Sequence, residues 1–175
     1  KAEISNRLQQ LQFDADLIKA YDEPHRFYHT LDHIQDVLQN LNNTNLLKQD
    51  ELFLTAIFHD IIYNPQSATN EEDSALFFID SAKNTSLTQA QKEHVKQLIL
   101  DTKHHIPNVE FSEEFINADL AILSSSFDKL ITYEKQIFKE FQFVDYSIYK
   151  LKRLEVLKQL NKNGNLNSLI DYVNV

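Results

Sequence analysis

Residues 52–63 read Leu52-Phe53-Leu54-Thr55-Ala56-Ile57-Phe58-His59-Asp60-Ile61-Ile62-Tyr63. Wound as a helix, this run is apolar on nearly every face, which predicts burial on all sides. Two adjacent ionisable groups, His59 and Asp60, interrupt it. A buried ionisable group has to be paired, hydrogen-bonded or bound to a metal. The stretch therefore predicts a central helix running to about Tyr63, and partners for His59 and Asp60 elsewhere in the chain.

Working outward, the rest of the chain reads as helices around that rod. Only one Gly and three Pro occur in 175 residues. With so few breakers, one all-α domain over residues 1–175 is expected, a bundle of about eight helices. Twelve Phe and seven Tyr supply the bulk of a core. A first amphipathic helix is expected over residues 4–21, ended by Asp22-Glu23-Pro24. The next carries Leu31, Ile34, Leu38 and Leu41, and starts either at Thr30 as N-cap or earlier, with Pro24 in its first turn. Asp50 is expected to cap the central helix, and Asn70 the one after it, whose first turn holds Glu71, Glu72 and Asp73. Thr88 with Gln91 fits a capping box for a helix running to about His105. Further helices are expected from Ser112, over 127–143 and 146–161, with a short one over 166–173.

Composition removes several classes of function. Without Cys there is no disulfide frame, no thiolate zinc site and no Cys nucleophile. No run approaches 18 apolar residues, so no membrane partner is expected and the cytoplasm is the default location. A net charge of −9 argues against nucleic acid as a partner. It leaves room for a small phosphorylated ligand, because a bound cation can invert the field inside a cleft.

Further polar residues then fall where apolar ones belong. Asp119 lies four after Phe115, three after Ile116 and three before Ile122, in the middle of an apolar stripe. The stripe Val95, Leu98, Ile99 continues through Thr102 to His105, and Tyr149, Val156, Leu157, Leu160 contains Arg153. Residues three, four and seven apart share a helix face, so several helices aim a polar group inward. Bundle metal sites are built that way. His29 and His33 are an i,i+4 pair if their helix starts early, and periodicity alone does not say which is nearer the site. A His, His-Asp, Asp donor set suits a divalent ion such as Mn, Mg, Fe, Co or Zn.

These residues resemble the metal-binding signature of the HD-domain superfamily of phosphohydrolases. The likeness extends to Tyr28-His29-Thr30-Leu31-Asp32-His33-Ile34, Phe58-His59-Asp60-Ile61-Ile62-Tyr63, Asn70-Glu71-Glu72-Asp73-Ser74-Ala75, Thr102-Lys103-His104-His105 and Ala118-Asp119-Leu120-Ala121-Ile122-Leu123. All five are similar to a subgroup of small, single-domain predicted metal-dependent HD phosphohydrolases, over about Arg26 to Leu160. The resemblance implies an HD-type helical bundle with a metal held by His59, Asp60, Asp119 and one His of the second helix. It favours His29, because a small hydroxyl residue and an apolar one follow it. It also implies hydrolysis of a small phosphate ester, a nucleotide among the candidates. Beside it stand the site readings for the remaining residues. Asp60 and Glu71 are the expected catalytic carboxylates, and His33, Lys103, His105 and Arg153 the expected substrate contacts. Two other functions use the same donors: a non-catalytic sensor of metal and nucleotide, and an iron-dependent oxygenase.

Overall fold

The computed structural model describes residues 1–175 and is all-helical, with 67% of residues in helices and no strand. It has nine α-helices and three 3-10 segments, more than the eight or so helices expected. The extra elements arise where an expected long helix breaks. Residues 4–21 divide into α1 (Ala2–Gln10) and a 3-10 segment, Ala15–Asp22. Gln12 takes a left-handed φ of 67° between them, and the Asp14 carboxylate caps the second piece by accepting from the Asp16 N–H at 2.9 Å. That local bond offers the backbone an alternative to a continuous helix.

The chain divides into two compact units, Lys1–Asp119 and Leu120–Val175. In the first unit, α2 (Leu31–Asn43), α3 (Asp50–Phe58), α4 (Asn70–Ser81), α5 (Gln89–Asp101) and α6 (Ser112–Asp119) follow α1, with a short 3-10 turn at Leu46–Lys48. α3 packs on α2, α4 and α5, and α2 packs on α6. Every residue from Leu52 to Phe58 is buried, as the apolar run predicts. Each such large apolar side chain contributes about 1.5–3 kcal/mol by leaving water. The capping box is present: the Thr88 hydroxyl accepts from the Gln91 N–H at 3.2 Å, and Gln91 Oε1 accepts from the Thr88 N–H at 2.9 Å.

α3 stops at Phe58, five residues before the expected end. The reason is a set of side chains that take the carbonyls a longer helix would have used internally. The Tyr21 hydroxyl donates to the Ile57 carbonyl at 2.7 Å, and Arg26 donates to those of Asp60 and Ile61. Beyond the turn, the Ser74 hydroxyl holds both the N–H and the carbonyl of Ile62. Asn70 does the same for Asn64, so it braces the preceding loop, and Thr69 is the N-cap of α4. Between α5 and α6, buried Asp101 accepts from Ser112 Oγ (2.6 Å), the Asn108 N–H (2.8 Å), Asn108 Nδ2 (2.8 Å) and Gln97 Nε2 (2.7 Å). α5 accordingly ends at Asp101, and His105 lies in the following turn at a left-handed φ of 53°.

The second unit begins with a 3-10 segment, Leu120–Ser124, followed by α7 (Phe127–Glu140), α8 (Tyr146–Leu160) and α9 (Asn167–Asn174). α9 packs on both α7 and α8. A buried ion pair joins α7 to α8: Arg153 Nε lies 2.7 Å from Glu134 Oε2, and the Tyr149 hydroxyl donates to Glu134 Oε1 at 2.6 Å. No helix is long and apolar enough to cross a membrane.

Candidate metal centre

The end of α3, the first turn of α2 and the end of α6 converge on one point in the first unit. His59 and Asp60 stand in the turn that Tyr21 and Arg26 hold. His33 is the third residue of α2. Asp119 closes α6. The ligand atoms of His33, His59 and Asp60 all lie within 4.8 Å of one another, a group able to hold a metal ion. Asp119 Oδ1 adds to it, 3.1 Å from His33 Nε2 and 3.3 Å from His59 Nε2. Asp60 Oδ2 lies 3.1 Å from His59 Nε2 and 3.5 Å from His33 Nε2.

His59 carries the most telling detail. It is 2% exposed, and its Nδ1 donates to the Ala56 carbonyl at 3.0 Å. That bond fixes the ring and leaves Nε2 as the inward-facing atom, the orientation of a metal-ligating imidazole. Nε2 is buried and has no hydrogen-bond partner, although two carboxylate oxygens lie near it. It is close to both and aligned with neither. A divalent cation held by these residues would give Nε2 the partner it lacks. The donor set therefore fits a divalent metal, and its mix of nitrogen and oxygen does not choose among Mn, Mg, Fe, Co and Zn.

The electrostatics agree. Burial alone would push the His33 imidazole down, yet the Asp119 and Asp60 carboxylates outweigh it and raise its pKa to about 9. His59 is likewise lifted well above its ordinary value, against its burial, by the charges of Asp60 and Asp119. Burial opposes ionisation of Asp60 and Asp119 as well, but the imidazoles hold both carboxyls below the usual range. The two carboxylates make the centre electronegative, a setting that suits a divalent cation as it suits protonated imidazoles.

His33, expected as a substrate contact, is the second-helix histidine that faces both carboxylates. His29 is not one of that group of three, its ring lying 5.9 Å from that of His33 and 4.3 Å from that of Tyr63, yet its charge helps hold the Asp60 carboxyl down. The start of α2 explains the difference. Thr30 is the N-cap with extended backbone, so His29 precedes the helix and does not share a face with His33. Glu71 lies half-buried in the first turn of α4, and burial raises its pKa, with the charge of Asp60 adding to the effect. Lys103 donates to the Ala68 carbonyl at 2.7 Å and pairs with Glu72, tying the start of α4 to the turn after α5. His105 is half-buried in that turn. Arg153 belongs to the second unit, where Glu134 is its partner and its guanidinium lies 5.2 Å over the Tyr133 ring.

Two buried charged residues escaped the sequence reading, Glu134 within the second unit and Arg26 within the first. Glu134 lies four after Leu130 and three before Ile137, a stripe position that would have revealed it. Arg26 lies outside any helix, so periodicity carries no signal for it. No family model, curated protein or solved structure matches the chain.

Proposed function

We propose that the chain is a metal-dependent phosphohydrolase of the HD-domain type, acting on a small phosphate ester such as a nucleotide. The observation that carries this reading is the buried His59 Nε2, without a hydrogen bond, aimed between two carboxylates and beside a second imidazole. The all-helical architecture supports it, as does the order His33, His59-Asp60, Asp119 along the chain.

His33, His59, Asp60 and Asp119 would hold the ion. When bound, such an ion acidifies water near neutral pH and neutralises charge on a phosphoryl group. The chain's own residues supply the rest. Asp60, whose side chain is 21% exposed, orients the attacking water. Glu71, with its carboxyl pushed up by burial, is the group placed to exchange a proton with the reacting oxygens. The tilted stack of His29 on Tyr63 borders the centre and gives a flat surface for a substrate.

The test is metal analysis of the purified protein, then a panel of phosphate esters assayed with Mn²⁺, Mg²⁺, Co²⁺ and Zn²⁺. Release of inorganic phosphate from at least one ester is expected, and its loss in Asp60→Ala. No hydrolysis with any of the four ions would refute the enzymatic reading.

A further inference from the structure

We infer that Arg26 is a positioning residue for the metal centre, a role that rests on the reading just given. Its side chain is fully buried. Buried guanidinium groups are costly unless their donors are used, and here four bonds use them. Nε donates to Glu23 Oε2 at 2.8 Å, and Nη2 to the Ile61 carbonyl at 2.9 Å. Nη1 donates both to the Asp60 carbonyl at 2.8 Å and to the His29 carbonyl at 3.1 Å. The rings of Tyr21 and Tyr63 lie 4.9 and 5.4 Å from the guanidinium carbon, so the plane is set as well as the donors.

The bonds to Asp60 and His29 matter most. Asp60 is in the turn that carries two ligands, and the His29 carbonyl is four residues before His33, at the entry to α2. One guanidinium therefore couples the backbones that carry His33 on one side and His59 with Asp60 on the other. Lys lacks the planar fork and cannot reach these carbonyls in the same geometry. Gln keeps at most part of the set. In either variant the ligand atoms remain, but the distance between the two ligand-bearing segments is no longer held.

The experiment compares wild type, Arg26→Gln, Arg26→Lys and Leu41→Ala. Leu41 is buried in α2, eight residues beyond His33, about 12 Å along the helix. It controls for loss of stability alone. Mn²⁺ affinity is read by titration calorimetry and Co²⁺ coordination by visible absorption, with far-UV circular dichroism confirming the fold. Arg26→Gln is expected to weaken Mn²⁺ binding about 10–100-fold and to alter the Co²⁺ spectrum, while Leu41→Ala keeps both. If Arg26→Gln does not fold, Arg26→Lys decides by the same two readouts. A folded Arg26 variant with wild-type affinity and spectrum overturns the positioning role. An equal loss of affinity in Leu41→Ala overturns it too, because general destabilisation would then account for the effect. Wild-type protein that binds none of these ions overturns the metal centre itself, and this role with it.

Discussion

Replacing Asp101 by Ala removes the acceptor of four hydrogen bonds that close the connection between α5 and α6. The four losses differ in weight. Asn108 is exposed and Gln97 half-buried, so their freed donors can turn to water. The Ser112 hydroxyl cannot, because Ser112 is 1% exposed. A buried polar group left without a partner costs about 1–3 kcal/mol, and the lost charge-assisted bonds add about 1.5–3 kcal/mol. About 3–4 kcal/mol is therefore expected. For a chain of this length that is a fall in Tm of roughly 6–16 °C. Asp101→Asn is expected to fall between wild type and Ala, since its amide oxygen accepts but its NH₂ faces donors.

The same carboxylate sets an acid dependence. Burial alone would raise the Asp101 pKa, but the donors of Ser112, Asn108 and Gln97 outweigh it and hold the pKa below its ordinary value. The folded state then binds fewer protons than the unfolded one. The stabilisation is complete above the unfolded pKa of about 3.9 and is lost as pH falls through the lower folded value. Urea unfolding midpoints at several pH values between 3 and 6 measure it. Wild type should lose stability below pH 4 more steeply than Asp101→Asn, the other carboxylates being common to both. Identical acid slopes, or an Ala variant within about 0.5 kcal/mol of wild type, would refute the reasoning.

Three other outcomes are expected. Mn²⁺ or Co²⁺ at about 100 times its dissociation constant should add about 2.7 kcal/mol of stability, visible as a rise in Tm by differential scanning fluorimetry, and His59→Gln should abolish the rise. Glu134→Ala strands the Arg153 charge inside the second unit and should cost about 3–5 kcal/mol by denaturant titration, whereas Glu155→Ala, at an exposed position of α8, should leave the midpoint within about 0.5 kcal/mol. Thr88→Ala removes the hydroxyl half of the capping box and should cost about 1 kcal/mol in thermal or urea unfolding.

The parts of the fold governed by neighbours in sequence were legible. Thr88 and Gln91 announce their helix because both halves of the box lie within one turn. The buried run Leu52–Phe58 announces itself because every face is apolar. The ends of helices set by distant residues were not. α3 stops at Phe58 because Tyr21 and Arg26, more than thirty residues upstream, take its last carbonyls. His29 and His33 show the same limit. Spacing alone leaves them equivalent if their helix starts early, and the extended backbone at Thr30 puts only His33 on α2. Arg153 illustrates another: its stripe position marks it as inward-facing, but whether a buried guanidinium meets a substrate or a carboxylate depends on a partner nineteen residues away.

The uniform apolar surface of α3 has a consequence for how the site keeps its register. A helix with one greasy stripe is turned to its place by that stripe. α3 has none, since all its faces after the first turn are buried alike. Hydrophobicity alone therefore selects no rotation about its axis: a single-residue deletion, which turns everything beyond it by about 100°, would still present apolar side chains to the core, but of shapes the packing does not fit. His59 would also point elsewhere. Polar contacts at the ends add to the angular setting: Arg7 bonded to Asp50 and to the Leu47 carbonyl at one, Tyr21 and Arg26 at the other. The azimuth of the ligands is thus specified by the fit of individual side chains and by polar contacts at the tips, with no apolar stripe to steer it.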